Sequence, residues 1–415
     1  MINNDFRLKD KGYSNAPSTR EQSRHRWYYY KEGFSEKLVR QGIDLYELNS
    51  KSTILDPFNG SGTVTLTASQ NLIPSIGFEV NPFTSFVSKS KTLNADPKRL
   101  MDQYNKVKES IDRGSKSPLE NFSTFTESNK NNSKWLFNKE VLQAYEGGLN
   151  IVKNDKSNSS KLLKLALMSS VMDNCNARKD GKCVRYKNDW QEKGYSKETL
   201  LTSLDIKVNQ IIADLENRIV QRPKIISGDV RKQLGKISEK FDFCITSPPY
   251  LNTFDYTDIY RPELFMGKFV KSHEELYRLR LKTLRSHVQA RWKHSKKEDF
   301  GLLFNKIIND LKRNESQIRH KQIIPMVYAY FDDMEKIFQQ LKTKANENAH
   351  LWIVVSTSAY ANVHIPVDLI LADIASNNGW KLREVGVLRD ILKRKSKYSP
   401  DIDKLRESLI ILERK

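Results

Sequence analysis

Cysteine is scarce. Only Cys175, Cys183 and Cys244 occur in 415 residues; they form no Cys-x-x-Cys pair, and no histidine cluster stands near them at the spacing zinc requires. Neither disulfides nor a bound metal is therefore expected. Long hydrophobic runs are missing as well: no apolar stretch approaches the roughly 20 residues of a membrane helix. The opening MINNDFRLKDKGYS also lacks the apolar stretch of a signal peptide. The expectation is a cytoplasmic chain with no membrane contact. Acidic residues are in deficit, 50 against 70 Lys and Arg, which leaves a formal charge of +20. Such an excess favours a polyanionic partner, because each phosphate neutralised by Lys or Arg releases counterions. Nucleic acid leads; a basic surface serving only solubility is the plainer alternative.

What is present suffices for a sizeable core, with 38% hydrophobic residues. Seven β-branched runs stand at 52–58, 75–80, 224–230, 241–247, 351–358, 380–388 and 407–414. Helical patterns such as GTVTLTASQN, MVYAYFDDMEKIFQQLKTK and IPVDLILADIASNNG lie between several of them. This alternation predicts an α/β fold: a Rossmann-like, mostly parallel, seven-stranded sheet with helices on both faces.

Two polar stretches interrupt the alternation and read as helical insertions. The first, 96–222, includes SSKLLKLALMSSVMDN and LTSLDIKVNQIIADLENRIVQ. The second, 268–322, reads as basic helices around ELYRLRLKTLRSHVQARWKHSKK, with 14 Lys and Arg against 6 Asp and Glu between Lys271 and Lys321. The expected organisation is thus 1–95 as an N-terminal segment with the first half of the core, 96–222 as a target-recognition insertion, 223–267 as core with a proline loop, 268–322 as a nucleic-acid-contacting insertion, and 323–415 as the rest of the core.

The first strand runs into DPFNGSGT, residues 56–63. Gly60 and Gly62 allow a sharp turn and close ligand approach, and the helix that follows offers free N–H groups. The loop lacks the Lys of a phosphate-binding P-loop and the full spacing of a dinucleotide fold. Glu79 ends the second strand, where a carboxylate can accept from both hydroxyls of a ribose. Asp229 ends the third, and can accept from an adenine amine or merely cap a helix. The fourth strand, FDFCIT, stops at Ser247-Pro248-Pro249-Tyr250, because prolines cannot continue a ladder. A rigid loop at a strand's carboxyl end lies where open α/β sheets bind ligands.

Together DPFNGSGT and the later TSPPY resemble the S-adenosylmethionine-dependent amino-methyltransferases of DNA, and the TSPPY form resembles their cytosine-N4 branch. The resemblance takes in all seven strands, with the two insertions matching only loosely. It implies S-adenosylmethionine as cofactor, with Asp56, Gly60 and Gly62 around the methionine moiety and Pro57, Phe58 and Thr63 of the same loop beside them. Glu79 would take the ribose and Asp229 the adenine. YYYKEGFSEKLVRQ, residues 28–41, is similar to the family's N-terminal cofactor segment, with Phe34 and Ser35 nearest the cofactor.

In that setting Ser247, Pro248, Pro249 and Tyr250 are the catalytic residues. An exocyclic amine is a poor nucleophile, and acceptors for its two N–H groups favour a pyramidal nitrogen with an outward lone pair. Ser247 Oγ and the Pro248 carbonyl can be those acceptors, the prolines hold the carbonyl in place, and Tyr250 offers a stacking face. The base must leave the duplex to reach them. Cys244 lies inside the strand between apolar neighbours and reads as core, which disfavours C5 chemistry through a thiolate.

Asn252, Asp255 and Tyr256 follow the loop and are expected near the flipped base or its phosphates. Arg178, Lys179, Lys182 and Arg185, around a Lys-Asp-Gly turn, are expected on phosphates, and Trp292 in packing rather than as a wedge. The activity implied is transfer to cytosine N4 in double-stranded DNA, in a nucleoid-associated protein with a cognate restriction endonuclease as possible partner. Adenine-N6 methylation is the alternative, followed by RNA guanine-N2 methylation and a non-catalytic nucleic-acid-binding subunit.

Overall fold

The structure is a computed structural model that describes residues 2–4, 6, 11–14, 18–126, 134–181, 183–392 and 399–415. Twelve strands occur among them: β1 (Ile2–Asn3), β2 (Ile54–Asp56), β3 (Ser75–Glu79), β4 (Ala177–Asp180), β5 (Cys183–Tyr186), β6 (Lys224–Ser227), β7 (Phe241–Thr246), β8 (Ala345–Ser356), β9 (Ser358–Tyr360), β10 (Val363–Ile365), β11 (Trp380–Leu392) and β12 (Lys404–Arg414). Eight build the central sheet in the order β1-β11-β12-β8-β7-β2-β3-β6. All neighbours pair in parallel except β12, which runs antiparallel to both β8 and β11. The seven expected strands are therefore present, joined at one edge by the short β1.

The two-residue period of the strands explains the layers. Phe243, Ile245, Trp352, Val354, Leu409 and Ile411 face one side, where they pack with Leu38, Val39, Val64 and Ala68 from the helices Glu36–Leu45 and Thr63–Gln70. Cys244, Leu351, Ile353, Ile410 and Leu412 alternate with them and face the helices Ile323–Lys344 and Val367–Asn377. Both sides are dry, as the near-continuous apolar runs require. No helix of the described residues is long and apolar enough to cross a membrane.

The stretch 96–222 supplies four long helices, Pro97–Arg113, Lys139–Val152, Asn158–Asp173 and Lys197–Leu215, and also the β4–β5 hairpin. Its apolar residues, among them Leu100, Leu142, Leu162 and Leu167, share one cluster with Trp27, Phe83, Tyr260 and Phe265. In the second stretch the structure departs from the expected run of basic helix. The helix His273–Arg280 stops, and an irregular segment follows until Leu302–Arg313. The reason is tertiary: Arg285 is drawn onto Asp332 and Asp333 at 2.6 and 2.8 Å, and Trp292 Nε1 donates to the His287 carbonyl at 2.8 Å. These bonds override the local helical period.

Candidate active site at the carboxyl edge of the sheet

In the sheet β7, β2, β3 and β6 are adjacent and parallel, so Ser247, Asp56, Glu79 and Asp229 come to the same edge. One cavity there is lined by Phe34, Asp56, Pro57, Phe58, Gly60, Thr63, Glu79, Asp229, Ser247, Pro249 and Tyr256. The glycine loop and the proline corner thus share a single chamber.

Two carboxylates shape it, Asp56 buried and Glu79 half-buried. Asp56 Oδ1 accepts from the Phe58 amide at 2.9 Å and from Thr246 Oγ1 at 2.7 Å. Glu79 accepts from the Gly60 amide through Oε2 and from the Asn81 amide through Oε1, both at 2.7 Å. Burial pushes each carboxyl up to about 7, with the hydrogen bonds pulling the other way. Gly60 turns with φ +50°, which lets the loop fold its amide back onto Glu79. Asn59 in the same loop is 3% exposed and accepts from Thr65, while its Nδ2 is a buried donor with no hydrogen-bond partner.

Some expected cofactor residues stand behind the wall. Gly62 does not line the cavity: it precedes the helix Thr63–Gln70 at φ +88°, and a Cβ there would meet Ser88 Cβ at 2.8 Å, so close helix packing explains it. Ser35 caps the helix Glu36–Leu45, accepting from the Lys37 amide at 3.2 Å and donating to Glu36 at 2.8 Å, and leaves the cavity to Phe34. Asp229 lines the cavity but is clamped by Arg231, whose Nε and Nη2 donate to its two oxygens at 2.9 Å each. Arg231 in turn reaches Asp333 at 2.6 Å.

At the corner, Ser247 and Pro249 face the cavity and Pro248 is buried. Tyr250 stands behind Ser247, packed against the sheet's core, and Tyr256 supplies an aromatic wall. Tyr250 Oη donates to Glu407 Oε1 at 2.6 Å and receives Ser247 Oγ at 3.4 Å. Glu407 is 3% exposed, and its Oε2 accepts from Arg389 at 2.7 Å. It can reach this edge because β12 is antiparallel, which sets Glu407 opposite Ser356 at the end of β8. Cys244 is fully buried one strand turn earlier, where burial raises its thiol well above the ordinary range.

The chain is similar to type II methyltransferases along nearly its whole length. M.BsoBI of Geobacillus stearothermophilus is 29% identical over 458 residues, covering 96% of this chain and 87% of that protein. M.AvaI of Nostoc sp. (strain PCC 7120) is 25% identical over 414 residues, covering 89% and 82%. No family model matches. Among solved structures, TrmN from Thermus thermophilus aligns with a TM-score of 0.28 at 10% identity over 92% of this chain, which spans about half of that protein (49%). The modification subunit of a putative type I restriction enzyme from Vibrio vulnificus aligns with a TM-score of 0.30 at 8% identity, over 91% of this chain and 43% of that one. Similarity to type II methyltransferases supports DNA methylation and S-adenosylmethionine as the cofactor.

Several residues expected on DNA are already engaged in this methyltransferase-like arrangement. Lys179 forms an ion pair with the fully buried Glu263, accompanied by Tyr28 Oη at 3.1 Å, and its ammonium lies 4.0 Å from the Tyr260 ring centre. Arg185 is exposed but pairs with Asp180 at 2.7 Å. Asp255 is buried, caps the helix Tyr256–Ile259 and pairs with Arg280 at 2.5 Å, and Asn252 accepts from the Phe254 amide at 3.0 Å. Helix and loop geometry account for both. Arg178 is exposed with no ion pair among the described residues, and Lys182 lies outside the described residues.

Other wall residues were not singled out one by one in the sequence, although two of them fall within the 28–41 stretch expected beside the cofactor. Tyr30 and Glu32 come from the N-terminal segment, while Lys282, Thr283, Leu284, Ser286 and His287 come from the irregular part of the second insertion. Arg231, two residues after Asp229, was legible only as part of the basic excess.

Proposed function

We propose that the chain transfers a methyl group from S-adenosylmethionine to the N4 amine of cytosine in duplex DNA, after the base has left the helix. One observation carries the reading: the carboxylates of Asp56 and Glu79 and the hydroxyl of Ser247 border one cavity, with Thr246 hydrogen-bonded to Asp56 beneath it.

The residues suit the cofactor. Each Glu79 oxygen holds one backbone amide and retains a lone pair for a ribose hydroxyl. Asp229 Oδ2 holds one Arg231 bond and retains room for an adenine amine. Asn59, whose Oδ1 accepts from Thr65, packs its amide against Gly77 of β3 and holds the loop from behind the cavity wall. S-adenosylmethionine, held there, supplies an electrophilic methyl on sulfur.

The chain's own contribution is to prepare the amine. When Ser247 Oγ donates toward Tyr250, its lone pairs are left to accept from the substrate N–H; the Pro248 carbonyl is the second acceptor in this reading. Tyr256 borders the space for the base. Transfer is direct, in keeping with the deep burial of Cys244. Ser247, rather than a carboxylate or amide, before Pro-Pro-Tyr favours cytosine by resemblance. A cognate restriction endonuclease belongs to the same proposal.

The test is to incubate duplex DNA with the protein and S-adenosylmethionine, digest to nucleosides and analyse by mass spectrometry. N4-methylcytosine is expected. N6-methyladenine instead would move the target to adenine, and the absence of any methylated nucleoside, with tRNA methylated, would reject the DNA reading.

A further inference from the structure

Beside the chamber lies a second concavity, formed by the N-terminal segment around residues 20–31, the helices Asn158–Asp173 and Lys197–Leu215, and the β4–β5 hairpin. Its wall carries seven Lys or Arg side chains and one acid, Asp173. Three of the cations are neutralised in place: Arg26 by Asp214 at 2.8 Å, Lys179 by Glu263, and Lys207 by Asp173 at 3.3 Å. The other four are not. Among the described residues Arg20 lies 4.1 Å over the Tyr29 ring, Lys187 donates to the Tyr195 hydroxyl and the Asp173 backbone carbonyl, and Lys31 and Arg178 are exposed without an ion pair. Four charges without an ion pair among the described residues, converging on one hollow from two chain segments, repel one another, and an anion in the hollow would relieve that repulsion.

The hollow adjoins the chamber through a wall of two rings. Tyr260 lines the hollow and Tyr30 lines the chamber; they stack at 5.1 Å and 17°. Glu32, on the chamber side, accepts from the Tyr260 hydroxyl. A nucleotide strand that delivered a base to Ser247 from this side would carry its sugar–phosphate chain along the rim next to this wall.

We propose that this hollow binds the phosphodiester backbone of the target DNA strand next to the extruded nucleotide, with Arg20, Lys31, Arg178 and Lys187 as the contacts. The proposal rests on the DNA-methylating reading and identifies where the strand is held. It also narrows the phosphate contacts expected on the hairpin to Arg178, because Lys179 and Arg185 have carboxylate partners and Arg178 has none among the described residues.

The experiment is a salt titration of binding to a fluorescein-labelled duplex, read by anisotropy, for the wild type and for the triple variant Arg20→Ala, Lys31→Ala, Arg178→Ala. Each lost phosphate contact lowers the slope of log K against log[salt] by about 0.9, so a drop of about three units is expected. S-adenosylmethionine affinity by calorimetry should not change, which shows the variant folded. A variant Lys51→Ala, Lys236→Ala, Lys240→Ala, exposed near the amino ends of β2 and β7 and so at the opposite edge of the sheet, serves as a charge-matched control for general basicity. An unchanged slope in the triple variant, or an equal drop in the control, overturns the proposal. So does slope loss seen with tRNA but not with the duplex, which would assign the hollow to RNA. Failure of the DNA-methylating reading itself looks different: no methylated nucleoside from DNA with any variant, wild type included.

Discussion

Thr246 Oγ1 donates a 2.7 Å hydrogen bond to Asp56 Oδ1, joining the last residue of β7 to the last residue of β2. The bond fixes the glycine loop and the proline corner in one frame, because Asp56 also holds the Phe58 amide and Thr246 immediately precedes Ser247. In the proposed reading, cofactor placement and amine placement are therefore coupled through this one pair.

Thr246→Val keeps the side chain's shape and removes the donor. A buried carboxyl left with one partner fewer costs about 1–3 kcal/mol, so thermal unfolding should occur at lower temperature. Both S-adenosylmethionine affinity and turnover should fall. If only turnover fell, the bond would serve the corner alone.

Glu407 is expected to act as a positioning residue. Tyr250 donates to it, which leaves the Tyr250 oxygen as an acceptor for Ser247 and leaves Ser247 Oγ to accept from the amine. Glu407→Gln can reverse the direction of that chain, so kcat should drop by at least an order of magnitude with cofactor affinity unchanged, as for Ser247→Ala. Single-turnover methylation and calorimetry check both. Full kcat in Glu407→Gln would reduce the contact to packing.

Cofactor affinity should rise with pH between 6 and 8. Burial raises Asp56 and Glu79 to about 7, above the roughly 4 of a free carboxyl. The neutral forms therefore favour the cofactor-free fold, an advantage complete below about pH 4 and lost as pH climbs through 7. A ribose donating to Glu79 prefers the ionised form, so binding strengthens over the range in which ionisation occurs. Calorimetry at pH 6, 7 and 8 should show this, and Glu79→Gln should bind more weakly with a shallower pH profile. An affinity that fell with pH would contradict the role.

Lys179→Met should destabilise rather than loosen DNA. The change leaves Glu263, fully buried, without its cation, and breaking such a pair costs about 3–5 kcal/mol. A lowered melting temperature with an unaltered salt slope is expected; the reverse pattern would return Lys179 to the phosphates.

The core strands were legible because their apolar runs carry both faces of the sheet, and the loop glycines and Glu79 because carboxylates and glycines at strand ends are conspicuous. Other features depend on tertiary register. Glu407 meets Tyr250 across 157 residues only because β12 is inserted antiparallel. Gly62 reads in the sequence like Gly60, yet its lack of a side chain serves a neighbouring helix. Lys179 and Arg178 are adjacent and identical in charge, and only the burial of Glu263 separates their tasks. The helical period beyond Arg280 was misleading because Arg285 answers to two aspartates on another helix.

That last segment has a bearing on engineering. Lys282, Thr283, Leu284, Ser286 and His287 belong to the stretch expected to contact nucleic acid, yet they roof the chamber at the carboxyl edge of the sheet. Transplanting residues 268–322 wholesale from a relative would unroof it, so a graft of this insertion that keeps the chamber closed has to be spliced downstream of His287.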